Sequence, residues 1–311
     1  MNNILSEADF EFYTFITGLE NKEQILIEKL IESFPYKQTH KLNIIDKSNA
    51  LKSLFDKEEV IKYSERHYIK KEKLDFNFEQ WNSLKKKYLS SINIIKEENF
   101  DFHMTSFHKI MTQYANQKYT VILDSDVEFI NKNYLTNVIK LLKKYDHLGD
   151  VSAVGEVYQE APFSLPLNRN LPNDFYKLLI RDRTISILKA MFGIIRYYLI
   201  GMKKTQADRI HKLPRLFFGL LTVNKEIYLR EKMFSKYLWL DVIDTENNLE
   251  QSNRIMGDAG SSLFYQIGMA GKKIIHLNYR KYVKHQKKGS RKISDRNKFE
   301  KNWLRFDKIE F

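Results

Sequence analysis

Asp124 and Asp126 stand two residues apart, with Ser125 between them, directly after the apolar run Tyr119-Thr-Val-Ile-Leu123. A continuous apolar run of this length is the pattern of a strand buried on both faces of a parallel sheet. In open α/β sheets, ligands bind beyond the carboxyl ends of such strands. Acids two apart can point the same way there, and a carboxylate pair makes a hard-oxygen site suited to Mg2+ or Mn2+. An ion so held would neutralise a diphosphate leaving group as a Lewis acid. A lone Asp-x-Asp is more often just a polar strand end, and it is the strand before it that lifts this one above that level.

Three further residues have chemistry of the same kind. Asp46 closes the short run Leu42–Ile45. It reads either as the cap of a following helix or as an acceptor of hydrogen bonds from a base or ribose. Asp258, in Gly257-Asp258-Ala259-Gly260, precedes a helical pattern. It is again a cap, or a general base held near an acceptor hydroxyl. His285 lies among Lys284, Lys287 and Lys288, with Gly289-Ser290 following. A neutral imidazole can complete a metal shell, while the lysines and the glycine turn suit a diphosphate.

The elements that must position these residues alternate. Phe10–Thr17 reads as a first strand ending at Gly18, and residues 22–34 carry helical spacing. Leu42–Ile45 is a second strand, followed by a helix through Leu54. Such β-α-β-α order predicts an α/β fold with a mostly parallel central sheet and covering helices. Further on, the patterns predict a strand at 61–63, one charged helix over 80–96, and helices over 104–114 and 135–145. They also predict a strand over 151–157, a loop over 161–172 and a long helix over 175–204. A strand over 217–223, helices over 225–234 and 260–269, and a strand over 273–277 follow, then a basic extension.

The chain has 311 residues, 43% hydrophobic and 29% charged, a globular composition. The absence of cysteine excludes disulfides, thiolate zinc sites and a cysteine nucleophile. The net charge of +13 is concentrated in two segments, 177–215 (+8) and 272–308 (+11). Such potential attracts a phosphorylated substrate, an anionic membrane surface or nucleic acid. The start does not read as a signal peptide, and no run reaches the ~18 apolar residues of a spanning helix. A cytoplasmic protein, soluble or peripheral on the inner face of the membrane, is expected. Ile185–Met202, with only Lys189 and Arg196 charged, fits a core helix with snorkelling cations better than an interfacial one.

Taken in order, strand-Thr17-Gly18, strand-Asp46, strand-Asp124-Ser125-Asp126, Asp258 with its helix to Gly271, and a late His285 resemble the GT-A glycosyltransferases. The likeness is to the large inverting family that includes many bacterial polysaccharide enzymes, and it runs from about Phe10 to Ser290. It implies a nucleotide-diphosphate-sugar donor, a divalent metal, and a glycan or lipid-linked acceptor hydroxyl. It further implies that Asp124 contacts ribose and metal, Asp126 and His285 the metal, and that Asp258 is the catalytic base. Thr17, Asp46, His103, Ser125, Lys288 and Ser290 would face the donor. Residues 1–160 would form the donor half and 161–311 the acceptor half of one continuous domain. The sequence departs from the family at Gly257, where an acid often precedes the base, and lacks Pro-x-Tyr-Asn after the first strand. It also lacks the Gln-x-x-Arg-Trp motif of processive synthases, which implies single additions. Two rival classes are a nucleic-acid-binding basic protein, which has no recognisable motif here, and a sugar nucleotidyltransferase, whose glycine-rich loop is absent.

Overall fold

The computed structural model describes residues 5–64, 67–98, 103–148, 150–162, 179–181, 212–233, 240–243, 252–255, 263–264, 266–268 and 270–286. Strand β1 spans Phe10–Ile16, β2 Leu42–Asp46, β3 Val60–Ser64, β4 His67–Lys70, β5 Ile92–Lys96, β6 Tyr119–Leu123 and β7 Val127–Phe129. Then come β8 Val151–Pro162, β9 Leu179–Arg181, β10 Lys212–Asn224, β11 Leu240–Ile243, β12 Ser252–Ile255, β13 Lys273–His276 and β14 Val283–His285. Eight of them form one sheet in the order β5-β2-β1-β6-β10-β8-β13-β9. Only the two pairings of β10, with β6 and with β8, are antiparallel. The other five are parallel. The fold is therefore α/β with a mostly parallel sheet flanked by helices.

Every residue of β6 is buried, as its unbroken apolar run requires. Alternation splits the sheet residues between two layers. Phe12, Ile16, Val121 and Leu123 join helices α1 (Asn21–Ser33) and α5 (Tyr134–Tyr145) through Ile27, Leu30, Leu135 and Val138. Tyr13, Phe15, Ile45 and Ile122 pack on the other face against Phe107, Ile110 and Met111. Those three belong to helix α4 (His103–Lys109) and the π-helical turn Ile110–Tyr114 that continues it. Burying each such side chain is worth roughly 1.5–3 kcal/mol, so β6 is a rigid base for whatever stands at its end.

The sheet reverses direction at β10, and this matters for the site. Leu220 pairs with Leu123, so residues 212–219 of β10 run past the carboxyl end of β6. Of these, Lys212 to Leu216 stay paired with the far half of β8, so the segment runs along one side of the space beyond Leu123. Beyond Leu123 the chain turns and forms β7, which pairs antiparallel with β14 in a separate two-stranded ribbon.

Several expectations are corrected. Residues 80–96 are not one helix: helix α3 covers Phe78–Lys87, and Ile92–Lys96 is β5, paired in register with β2. Within the expected helix 175–204, Leu179–Arg181 is a strand beside β13; the remainder lies outside the described residues. Ala161 and Pro162, expected in a loop, complete β8. The strand expected over 217–223 begins at Lys212, and the helix after it is only Lys225–Arg230. No helix among the described residues is long and apolar enough to cross a membrane.

Candidate active site

The acid pair forms a turn at the end of β6. The Val127 N–H donates to the Asp124 carbonyl at 3.4 Å, leaving Ser125 and Asp126 at the tip, all three acid-pair residues half-buried. The ribbon then brings a distant segment to the same place. His285 pairs with Val127 and Lys284 with Glu128. The Gln286 N–H donates to the Asp126 carbonyl at 2.8 Å, and its side-chain amide to Glu128 Oε2 at 2.6 Å. Tyr282 anchors the ribbon to α5, packing edge-on against Tyr134 and accepting from Asn137 Nδ2 at 3.1 Å.

The result is a three-residue cluster. His285 Nε2 lies 3.1 Å from Asp126 Oδ1 and 3.8 Å from Asp124 Oδ2. One potential ligand atom from each of the three falls within 4.8 Å of the others. The carboxylates of Asp124 and Asp126 hold the His285 imidazole well above its usual range, up to about 9, against the opposing effect of burial. The carboxylates thus favour a cation between them and the ring, and a proton fills that role at neutral pH. Two carboxylate oxygens and one imidazole nitrogen are also a competent donor set for a divalent ion, with room for exogenous ligands.

The other expected residues divide into those the structure places and those it does not describe. Asp258, Lys288 and Ser290 lie outside the described residues. His103 is the first residue of α4. Thr17, at the end of β1, donates both its N–H (2.8 Å) and its hydroxyl to Glu23. The same carboxylate accepts from the N–H groups of Gly18, Leu19 and Glu20, tying down the whole loop after β1. Asp46 is buried at the end of β2. Its Oδ1 accepts from the Ser48 N–H (3.0 Å) and hydroxyl (2.6 Å), at the start of helix α2 (Ser48–Phe55). Its Oδ2 accepts from the Trp81 indole at 2.8 Å and lies 3.7 Å from Lys85 Nζ. Asp46 is thus tied to the first residue of α2, whose N-cap is Lys47, and to Trp81 and Lys85 of α3.

Sequence reasoning missed four contributors. Trp81 and Glu23 carry no motif, since their roles depend on partners brought by the fold. The Glu128–Gln286 clamp is equally silent. Phe217 did have a signal. Gly219 inside an apolar strand marks a bulge, and between the pairs Leu216–Val157 and Leu221–Gly155 the residues Phe217 to Leu220 stand opposite Glu156 alone. That irregularity brings the Phe217 ring against His285, with centroids 5.5 Å apart and planes at 68°.

No protein-family model and no curated protein matches the chain. Similar solved structures include the mannosyltransferase PcManGT from Pyrobaculum calidifontis in complex with GDP-Man and Mn2+. It is 14% identical over 86% of this chain and 54% of that one, with a TM-score of 0.43. TarS 1-349 of S. aureus in complex with UDP-GlcNAc is 12% identical over 92% and 60%, with a TM-score of 0.44. GalNAc-T7 with UDP, GalNAc and Mn2+ is 10% identical over 89% and 43%, with a TM-score of 0.45. The chain spans about half the length of these structures. The likeness is distant, and no role of a residue in this chain rests on it.

Proposed function

We propose that the chain is a metal-dependent glycosyltransferase of the GT-A type, moving a sugar from a nucleotide diphosphate to an acceptor hydroxyl. The observation that carries this reading is the meeting of Asp124, Asp126 and His285 at the carboxyl end of β6, every residue of which is buried. In this reading those three residues hold the ion. A set of two oxygens and a nitrogen suits Mn2+ better than Mg2+, which prefers oxygens throughout. When bound, the ion supplies positive charge beside the leaving diphosphate.

The chain's own residues do the rest. Thr17, His103, Ser125, Lys288 and Ser290 are assigned to the donor. Asp46, engaged by Ser48 and Trp81, shapes the donor side and is left to contact the base only along its remaining lone pair. Asp258 takes the proton from the acceptor hydroxyl as its oxygen bonds to the anomeric carbon and the bond from that carbon to the diphosphate oxygen breaks. This is a single displacement with inversion. Acceptor chemistry belongs to residues 161–311: a glycan or lipid-linked hydroxyl, in surface polysaccharide synthesis, met from the cytoplasmic side. The basic segments there would draw the enzyme to anionic lipid.

Calorimetry with Mn2+ and a panel of nucleotide diphosphates tests the reading. A UDP or GDP signal that requires Mn2+ and disappears in Asp126→Ala is expected. Silence toward every nucleotide diphosphate, with tight salt-dependent DNA binding instead, would overturn it.

A further inference from the structure

The ribbon fixes the backbone of His285, but it does not fix its ring. The terminal torsion of a histidine is soft, and a ligand histidine is ordinarily oriented by a hydrogen bond from its second nitrogen. Among the described residues, Nδ1 of His285 has no such partner; its polar neighbours are Asp124 and Asp126 on the Nε2 side. Besides these two carboxylates, Phe217 touches the ring.

Phe217 is itself held in place. Tyr279 stacks on it at a centroid distance of 4.0 Å and 27°. The Tyr279 N–H donates to Glu156 Oε2 at 3.1 Å, and Glu156 is the β8 residue facing the bulge. Gly219 leaves the space the Phe217 ring occupies: a Cβ at that position would overlap the ring. A bulge, a glycine and a backed aromatic ring thus converge on one imidazole.

We propose that Phe217 is a positioning residue, setting the plane of the His285 ring so that Nε2 faces both carboxylates. The inference rests on the metal-site reading of Asp124, Asp126 and His285 for its consequence, which is metal affinity. Groups that orient a ligand histidine cost about 10–100-fold in metal affinity when lost.

Two variants reach the ring by different routes. Phe217→Leu keeps apolar bulk without the flat face, and Gly219→Ala displaces the ring while leaving Phe217 intact. By calorimetry, both lower Mn2+ affinity by about tenfold or more while thermal unfolding stays cooperative; Phe217→Tyr, which keeps the ring, retains wild-type affinity. In a His285→Asn background, Phe217→Leu has no further effect, as coupling through one side chain requires. Wild-type affinity in either folded ring variant, or an undiminished loss in the His285→Asn background, overturns the proposal. If the wild-type chain takes up no Mn2+, the metal reading fails separately. The positioning claim is then decided by crystal structures of the metal-free ring variants. The His285 ring turns away from the carboxylates in both if Phe217 holds it, and an unmoved ring overturns it.

Discussion

Nε2 of His285 lies 3.1 Å from Oδ1 of Asp126, with Asp124 Oδ2 at 3.8 Å on the same side. The pair of acids raises the imidazole from its ordinary 6.5 to about 9 in the folded chain. Below pH 6.5 the ring is charged in both folded and unfolded chains, and its pairing stabilises the fold fully. Between 6.5 and 9 the unfolded chain releases the proton while the folded chain keeps it, so stability falls with rising pH. The melting temperature of metal-free protein should therefore decline from pH 6 to 9.5, and His285→Asn should lack that component. Mn2+ competes with the same proton, so its apparent affinity should rise across the same interval, which calorimetry at several pH values would read.

Asp46→Ala should be strongly destabilising. It strands the buried indole N–H of Trp81, the N–H and hydroxyl of Ser48, and the largely covered ammonium of Lys85. Breaking a buried ionic constellation by removing one partner costs about 3–5 kcal/mol. Urea unfolding would measure this, and Asp46→Asn, which keeps one acceptor, should lose less.

Gly18→Ala tests the seam between β1 and α2. Gly18 has a φ of +81°, and a Cβ there would overlap the backbone of Ser48. Both effects oppose the substitution, which should cost at least about 1–3 kcal/mol. Because Ser48 is also the partner of Asp46, the losses from Gly18→Ala and Asp46→Asn should not add. A double-mutant cycle by chemical denaturation would show the coupling.

The ion network at the opposite edge should matter little. Lys272 Nζ lies 2.6 Å from Asp150 and 3.1 Å from Glu231, and Arg230 bridges the same two acids. Two of the four side chains, Arg230 and Asp150, are exposed and the other two are half-buried, so Lys272→Met should cost less than about 1 kcal/mol, and less still in 1 M salt. Melting temperatures at two salt concentrations would check it.

What the sequence made legible follows from where burial is simple. Strands β1, β2 and β6 are almost wholly buried, so apolar-rich runs declared them, and the acid turn after β6 was visible as a motif. Strand β5 was hidden because Ile92-Asn-Ile-Ile-Lys96 follows a lysine-rich helix closely enough to read as its continuation. Strand β9 is three residues inside a long apolar stretch, where period cannot separate strand from helix. The site divided similarly. Asp124, Asp126 and His285 were named from residue type and place, but Trp81, Glu23 and Phe217 act through contacts that only the folded sheet creates.

The clamp between Glu128 and Gln286 joins residues 158 apart in the chain. It closes that long loop with protein hydrogen bonds alone. A divalent ion bound at Asp124, Asp126 and His285, as proposed, would span almost the same loop, yet find its closure entropy already spent. The ion would then act as an ordinary ligand of the native state rather than as a cross-link. Its stabilisation would grow with the logarithm of free Mn2+, about 2.7 kcal/mol at a hundred times the dissociation constant, and would not reflect the length of chain it ties together.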